Sequence, residues 1–249
     1  MKAAVLPIIS SLVLTLAAVL LAGEGPEKGP APAAAPAASA NLVRNGDFST
    51  GQDSPQGWSR MDNLSTFWVA GGADVEKARA EGRKLDGKCL KIDTDVYLKE
   101  WEEQQKSMEP GKPGASRPKT PTKGDKYDTV AGTKGVAVHS DEIEVKPGAS
   151  YKLSVSAKGS VKSTDLFFPK VFVKGYADVN GEPREVYNTY LACRIGEVDK
   201  WAAFERVFGP TKRTPAVKKM KVMIYAYWPP GVYGFDDVKI AEVEAEEKR

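Results

Sequence analysis

The chain has 249 residues, of which roughly the first forty read as targeting and linker, leaving about two hundred for one β-rich domain. Its 36 Lys and Arg stand against 33 Asp and Glu, a formal charge of +3. These charges are interspersed, with no basic arm or stripe, so no nucleic-acid partner is expected.

Lys2 opens an uncharged run from Ala3 to Ala22 that carries Val5, Leu6, Ile8, Ile9, Leu12, Val13, Leu14 and Leu16. Residues 1–22 therefore read as an export signal. Cleaved, the signal leaves a secreted, periplasmic or cell-envelope protein. Uncleaved, it becomes an N-terminal anchor, because the run is close to the roughly 20 residues that cross a bilayer. Membrane contact is expected only in that second case. Residues 23–40 are Ala- and Pro-rich, with nothing large enough to bury, and read as a tether. The same composition argument expects a disordered surface loop inserted over about 102–134, where Glu, Gln, Lys, Pro and Gly dominate. Residues 244–249 form a charged tail.

Between these lies a domain over 41–243 whose periodicity is mostly two. Val75–Gly82 is charged enough to predict only a turn or small helix. Ile143-Glu144-Val145, a Pro-Gly turn, and then Tyr151, Leu153, Val155 and Ala157 predict a strand, a turn and a strand with one apolar face. Val171, Val173 and Gly175 alternate with Phe172, Lys174 and Tyr176, and Asn180-Gly181 supplies the next turn. Met220, Val222, Ile224 and Ala226 form a further inward stripe, and Val238 and Ile240 close the series. Many strands between Gly and Pro turns, without an alternating βαβ pattern, predict an all-β fold: a two-sheet antiparallel jelly-roll β-sandwich with a long inserted loop.

Cys89 and Cys193 are the only cysteines, and two readings stand: a disulfide formed in an oxidising compartment, or two buried thiols. His139 precedes Ser140 and Asp141, but adjacent strand residues point to opposite faces and do not converge as a triad. No Gly-x-Ser-x-Gly elbow, phosphate-binding glycine loop or His-Glu-x-x-His is present. Catalysis is not expected.

Five passages in order resemble the galactose-binding-like jelly rolls of secreted carbohydrate-binding modules, in particular the xylan- and glucan-binding group. They are Asn41–Phe48 with Gly57-Trp58, Leu85–Ile92, Val145–Leu153, Trp201–Phe208 and Gly234–Ile240. The resemblance implies that Asn41–Phe48 is a first strand, that Val145–Leu153 is a hairpin, and that a structural calcium sits where the terminal strands meet. Period two places Asp236 on the face of Val238 and Ile240, and a buried carboxylate must be hydrogen-bonded, paired or metal-bound. Asp47, with nearby carbonyls, is the expected companion ligand for calcium. The other reading is that Asp236 accepts backbone hydrogen bonds in the opening loop. The family's Glu after the Phe is replaced here by Ser49.

A sugar-binding site needs flat aromatic platforms ringed by hydrogen-bonding side chains. Counting outward from the core stripe selects Tyr225, Tyr227, Phe172, Tyr176 and Tyr190, with Lys174 and Arg194 as donors to hydroxyls or to an acidic sugar. Trp228 lies in a loop bordering that face. Trp68, Tyr97, Trp101 and Tyr233 are further candidates, whereas Trp58 and Trp201 match packing positions. The expected function is non-catalytic binding of a polysaccharide or other glycan. The alternatives are a cell-envelope structural or adhesion protein with a protein partner, or a small polysaccharide-active hydrolase.

Overall fold

Strict alternation of apolar and polar residues can bury one face only in extended backbone, and the computed structural model follows that rule through residues 150–159, 170–177 and 219–226. It describes residues 40–82, 86–108, 125–210 and 214–243. The expected leader and the expected linker to residue 39, Leu85, residues 109–124 of the expected insertion and the charged tail lie outside the described residues.

In chain order the elements are β1 (Thr66–Ala70), α1 (Ala73–Ala80), β2 (Lys88–Asp93), α2 (Leu98–Ser107), β3 (Val136–His139), β4 (Ile143–Glu144) and β5 (Ser150–Gly159). They continue with β6 (Lys170–Val179), β7 (Glu182–Ala192), β8 (Ala202–Phe208), β9 (Lys219–Ala226) and β10 (Val232–Val243). The first sheet has the order β1-β2-β10-β5-β8. The second has the order β3-β9-β6-β7, with β4 also paired to β9. Every pairing is antiparallel. Leu90, Ile92, Tyr151, Leu153, Val155, Phe235 and Ile240 from the first sheet and Val171, Val173, Val222 and Ile224 from the second form one shared core. The molecule is thus a two-sheet antiparallel β-sandwich, as the periodicity predicts.

Four expectations need correction. Asn41–Phe48 is a run of turns rather than a strand. Asn45 and Phe48 both have φ of 50°, which breaks a regular ladder, and the segment is fastened to β10 at Leu42 N–Ile240 O (2.8 Å) and Val238 N–Gly46 O (2.8 Å), and through the Asn41 side chain, which donates to the Val238 carbonyl (3.0 Å) and accepts the Ile240 N–H (3.1 Å). The passage Val145–Leu153 is not a hairpin. β4 pairs with β9 while β5 pairs with β8 and β10, so the Pro-Gly turn carries the chain from one sheet to the other.

The expected loop from about residue 102 begins as helix α2. Trp101 packs on the core and donates to Ser65 Oγ (3.1 Å), Gln104 donates to the Asp62 carbonyl, and Gln105 reaches Asp62 Oδ2 (2.8 Å). Polar composition misled here because Gln104 is buried with a partner rather than solvated. The return of the same stretch is ordered as well, with Val130 and Ala131 fully buried.

The fourth correction concerns Asp236. The β10–β5 register shifts between Asp236 and Lys239, and Asp237 has φ of 52°. This bulge resets the parity, so Phe235 faces the core and Asp236 lies on the opposite side of the strand from it. There its Oδ2 accepts the Ala73 N–H (2.8 Å) at the start of α1, and its Oδ1 accepts the Asp237 N–H (2.9 Å).

Candidate functional site

The outer face of the second sheet is a grid set by strand register. Ala137, Tyr225, Lys170 and Ala192 form one row across β3, β9, β6 and β7, and His139, Met223, Phe172 and Tyr190 form the next. Lys221, Lys174 and Asn188 follow, then Lys219, Tyr176 and Glu185. All share a face because their neighbours Val136, Val138, Val171, Val173, Val222 and Ile224 are buried in the core.

On this grid the rings meet. Phe172 lies 5.5 Å from Tyr190 and 6.1 Å from Tyr225, between centroids, and Tyr225 lies 6.3 Å from Tyr227 at an interplanar angle of 8°. Phe167, in the β5–β6 connection, continues the row 6.3 Å beyond Tyr227. The row therefore crosses three adjacent strands and ends in a loop. Phe167 and Tyr190 are exposed, at 39% and 38%, whereas Phe172, Tyr225 and Tyr227 are half-buried. Tyr225 is also held from one side: its hydroxyl donates to the Lys134 carbonyl (3.0 Å), and Gly135, at φ of 67°, brings backbone against its ring. Burial, with a smaller contribution from Tyr227, raises the Tyr225 phenol above its usual range, so it stays neutral and a donor.

Of the residues selected from sequence, Phe172, Tyr190, Tyr225 and Tyr227 come together. Tyr176 shares their face but stands two rows away from Phe172, where it lines a hollow of about 490 Å³ with Glu142, Asp178, Lys218, Lys219 and Lys221. Trp228 is apart from the row and stacks on Tyr127 at 5.4 Å and 15°, with the Lys126 ammonium 5.2 Å from Tyr127 and 5.7 Å from Trp228. Arg194 lies over Phe168 at 4.2 Å and donates to the Asp165 carbonyl (3.1 Å). Trp68, Trp101 and Tyr233 prove to be packing residues: the first two lean on the core, and Tyr233 is 1% exposed. Tyr97 bridges to Thr129. Reasoning from the sequence missed Phe167, Tyr127, Met223, Asn188 and Lys170. Period two does place Lys170 beside Phe172 and Lys174 on the outward side, and that signal was available.

The oxygens expected to hold calcium all accept hydrogen bonds. Asp236 spends both carboxylate oxygens on amides, Asp47 accepts from Ser49 (3.1 Å), and the carbonyls of Asn45, Gly46 and Phe48 accept from Trp58 Nε1, Val238 N and Trp68 Nε1. Among the described residues no three acidic, His or Cys side chains gather into a metal-holding group. The second reading of Asp236 is the one observed in kind, although its amide partners lie at α1 and β10 rather than in the opening loop. Burial, then the neighbouring Asp237, pushes the Asp236 carboxyl up to about 7.

Both cysteines are free and buried, Cys89 on β2 of the first sheet and Cys193 just after β7 of the second. His139 and Ser140 diverge. The imidazole lies on the outer grid, while the buried Ser140 hydroxyl accepts the Val222 N–H (2.9 Å) and donates to the Asp141 carbonyl (2.8 Å). No nucleophile and base meet there. Among the described residues no helix is long and apolar enough to cross a membrane.

No protein-family model and no curated protein matches the chain. Solved structures that align with it include a family 16 carbohydrate-binding module, 16% identical, at a TM-score of 0.43 over 81% of this chain and 100% of that one. A CBM4 module aligns at 13% identity and a TM-score of 0.39, over 81% and 99% of the two chains. A xylan-binding CBM22-1 domain from Paenibacillus barcinonensis aligns at 12% identity and 0.40, over 85% and 99%.

Proposed function

We propose that the chain is an exported, non-catalytic module that binds a polysaccharide on the outer face of its second sheet. The observation that carries this reading is the row Tyr190–Phe172–Tyr225–Tyr227, a run of rings crossing three strands on a face turned away from the core. Aromatic rings in a strand need no functional account when they fill a core, but these point away from one. Flat rings match the apolar C–H faces of pyranose sugars, and Asn188 and Lys174 border them with donors suited to hydroxyls. The export reading is supported by the uncharged apolar run from Ala3 to Ala22.

A second reading, a protein-binding envelope component, is favoured by one feature. Leu166 is 76% exposed beside Phe167, and exposed apolar side chains of that size mark protein contacts when they cluster.

The test is binding of the full chain to a panel of insoluble and soluble polysaccharides, by pull-down and by retardation in gels containing each polymer. Saturable binding to one polymer class is expected. Failure to bind any of them contradicts the glycan reading and leaves the protein-partner reading in its place.

A further inference from the structure

The charges around the aromatic row are distributed unevenly. Lys174 stands directly across the strands from Lys221, and Lys219 is the next outward residue along β9. Like charges set opposite one another on a sheet repel. Their offsetting carboxylates, Glu185 (3.1 Å from Lys174) and Glu142 (2.8 Å from Lys219 and 3.5 Å from Lys221), stand toward the β6–β7 hairpin end of the face. The two rows that carry Tyr225, Phe172 and Tyr190 contain no carboxylate.

At the β7 side of those rows three cations converge. The Lys170 ammonium lies 5.2 Å from the Tyr190 ring and 5.4 Å from that of Phe168. The Arg194 guanidinium covers Phe168, and Arg206 reaches over from β8 to donate to the Tyr190 carbonyl, 6.0 Å from the Tyr190 ring. Among the described residues none of the three has a carboxylate within ion-pair distance. Their charges are balanced only by ring faces and backbone carbonyls, which attract a cation far less than a carboxylate does. His139, in the Phe172 row, responds to the same field: burial first, then Lys174 and Lys221, lower its tendency to take a proton.

We infer that the polysaccharide taken by this face is acidic, and that Lys170, Arg194 and Arg206 receive its carboxylates at the end of the aromatic row marked by Tyr190 and Phe168. This inference rests on the glycan-binding reading above and names its substrate class. A neutral sugar needs hydroxyl partners, which Asn188 and the carboxylate-paired Lys174 supply. Three cations without carboxylate partners, Lys170 and Arg206 beside the exposed ring of Tyr190 and Arg194 over Phe168, are suited instead to an anion carried beside a stacked sugar, and two of them offer guanidinium forks that match a carboxylate in two-point geometry. Nothing beyond binding is involved, so no bond is made or broken.

The test uses matched polymers: polygalacturonate and glucuronoxylan, each beside the same material with its carboxyls reduced to alcohols. For the full chain at low salt, the acidic member of at least one pair is expected to bind about tenfold more tightly than its reduced form, the gain shrinking as salt is added. Lys170→Gln and Arg194→Gln are expected to remove most of that gain without weakening the binding of the reduced form. Lys239→Gln, on β10 of the other sheet, is expected to leave it intact. Equal binding of acidic and reduced polymers, with Phe172 and Tyr190 still required, overturns the inference and leaves glycan binding standing. Binding of neither form overturns both.

Discussion

Tyr225 on β9 and Tyr227, two residues on and just beyond its end, hold their rings 8° from parallel with centroids 6.3 Å apart. Neighbours at that spacing share one face of the sheet, so the two rings make a continuous surface rather than two isolated contacts. Phe172 and Tyr190 extend that surface across β6 and β7 through direct cross-strand pairing.

The row predicts a separation of binding from stability. Phe172→Ala and Tyr190→Ala each remove a ring that stacks on solvent-side neighbours and fills no core. Each is expected to weaken polysaccharide binding by about fivefold to tenfold, the equivalent of about 1 kcal/mol per ring. Thermal melting of both variants should stay within a few degrees of the parent.

Tyr225 behaves differently because it is tied to the returning chain. Tyr225→Phe keeps the ring but loses the bond to the Lys134 carbonyl, so it should cost about 1 kcal/mol in urea denaturation while leaving binding unchanged. Gly135→Val should cost more. Gly135 has φ of 67°, and a Cβ there would sit within 2.7 Å of the Tyr225 ring, so both backbone and packing are strained.

These two predictions mark what the sequence made legible. Alternation in β5, β6 and β9 named the core stripe and, by subtraction, Phe172, Tyr176, Tyr225 and Tyr227 as outward. Alternation is blind to partner choice, which is why β4 and β5 read as a hairpin although a single turn passes them between sheets. It is also blind to a bulge, and one at Asp236–Lys239 moved a carboxylate from one face to the other. Gln104 and Lys170 were missed for a related reason. The buried amide of the first depends on the Asp62 carbonyl, and although alternation puts the second on the outer face, its place beside Tyr190 depends on cross-strand register with β7.

Asp236 predicts a pH dependence. Its carboxyl, raised by burial to about 7 in the fold, binds a proton more tightly there than in the unfolded chain, where the ordinary value is 3.8. The stability it contributes is therefore complete below about pH 4 and is lost as pH rises through about 7, a fall of a few kcal/mol. Asp237, raised by burial and by Asp74, acts with the same sign. Urea denaturation should show the parent more stable at pH 5 than at pH 8, and Asp236→Asn should reduce that difference.

The cysteines predict silence toward thiol reagents. Burial pushes Cys89 up to about 11, with Asp236 adding to it, and Cys193 up to about 12. Neither forms thiolate near neutral pH, and neither is accessible. A chromogenic disulfide reagent is expected to label no thiol in the folded protein and two in denaturant. Only background colour after denaturation would mean that the two are joined.

Whether the polysaccharide sits on the aromatic row is decided by affinity electrophoresis of the full chain beside its Phe172→Ala/Tyr190→Ala variant in gels containing the bound polymer. Strong retardation of the parent, near-normal migration of the variant and superimposable circular dichroism for the two are expected. Equal retardation of both would place the ligand elsewhere on the molecule and contradict the assignment.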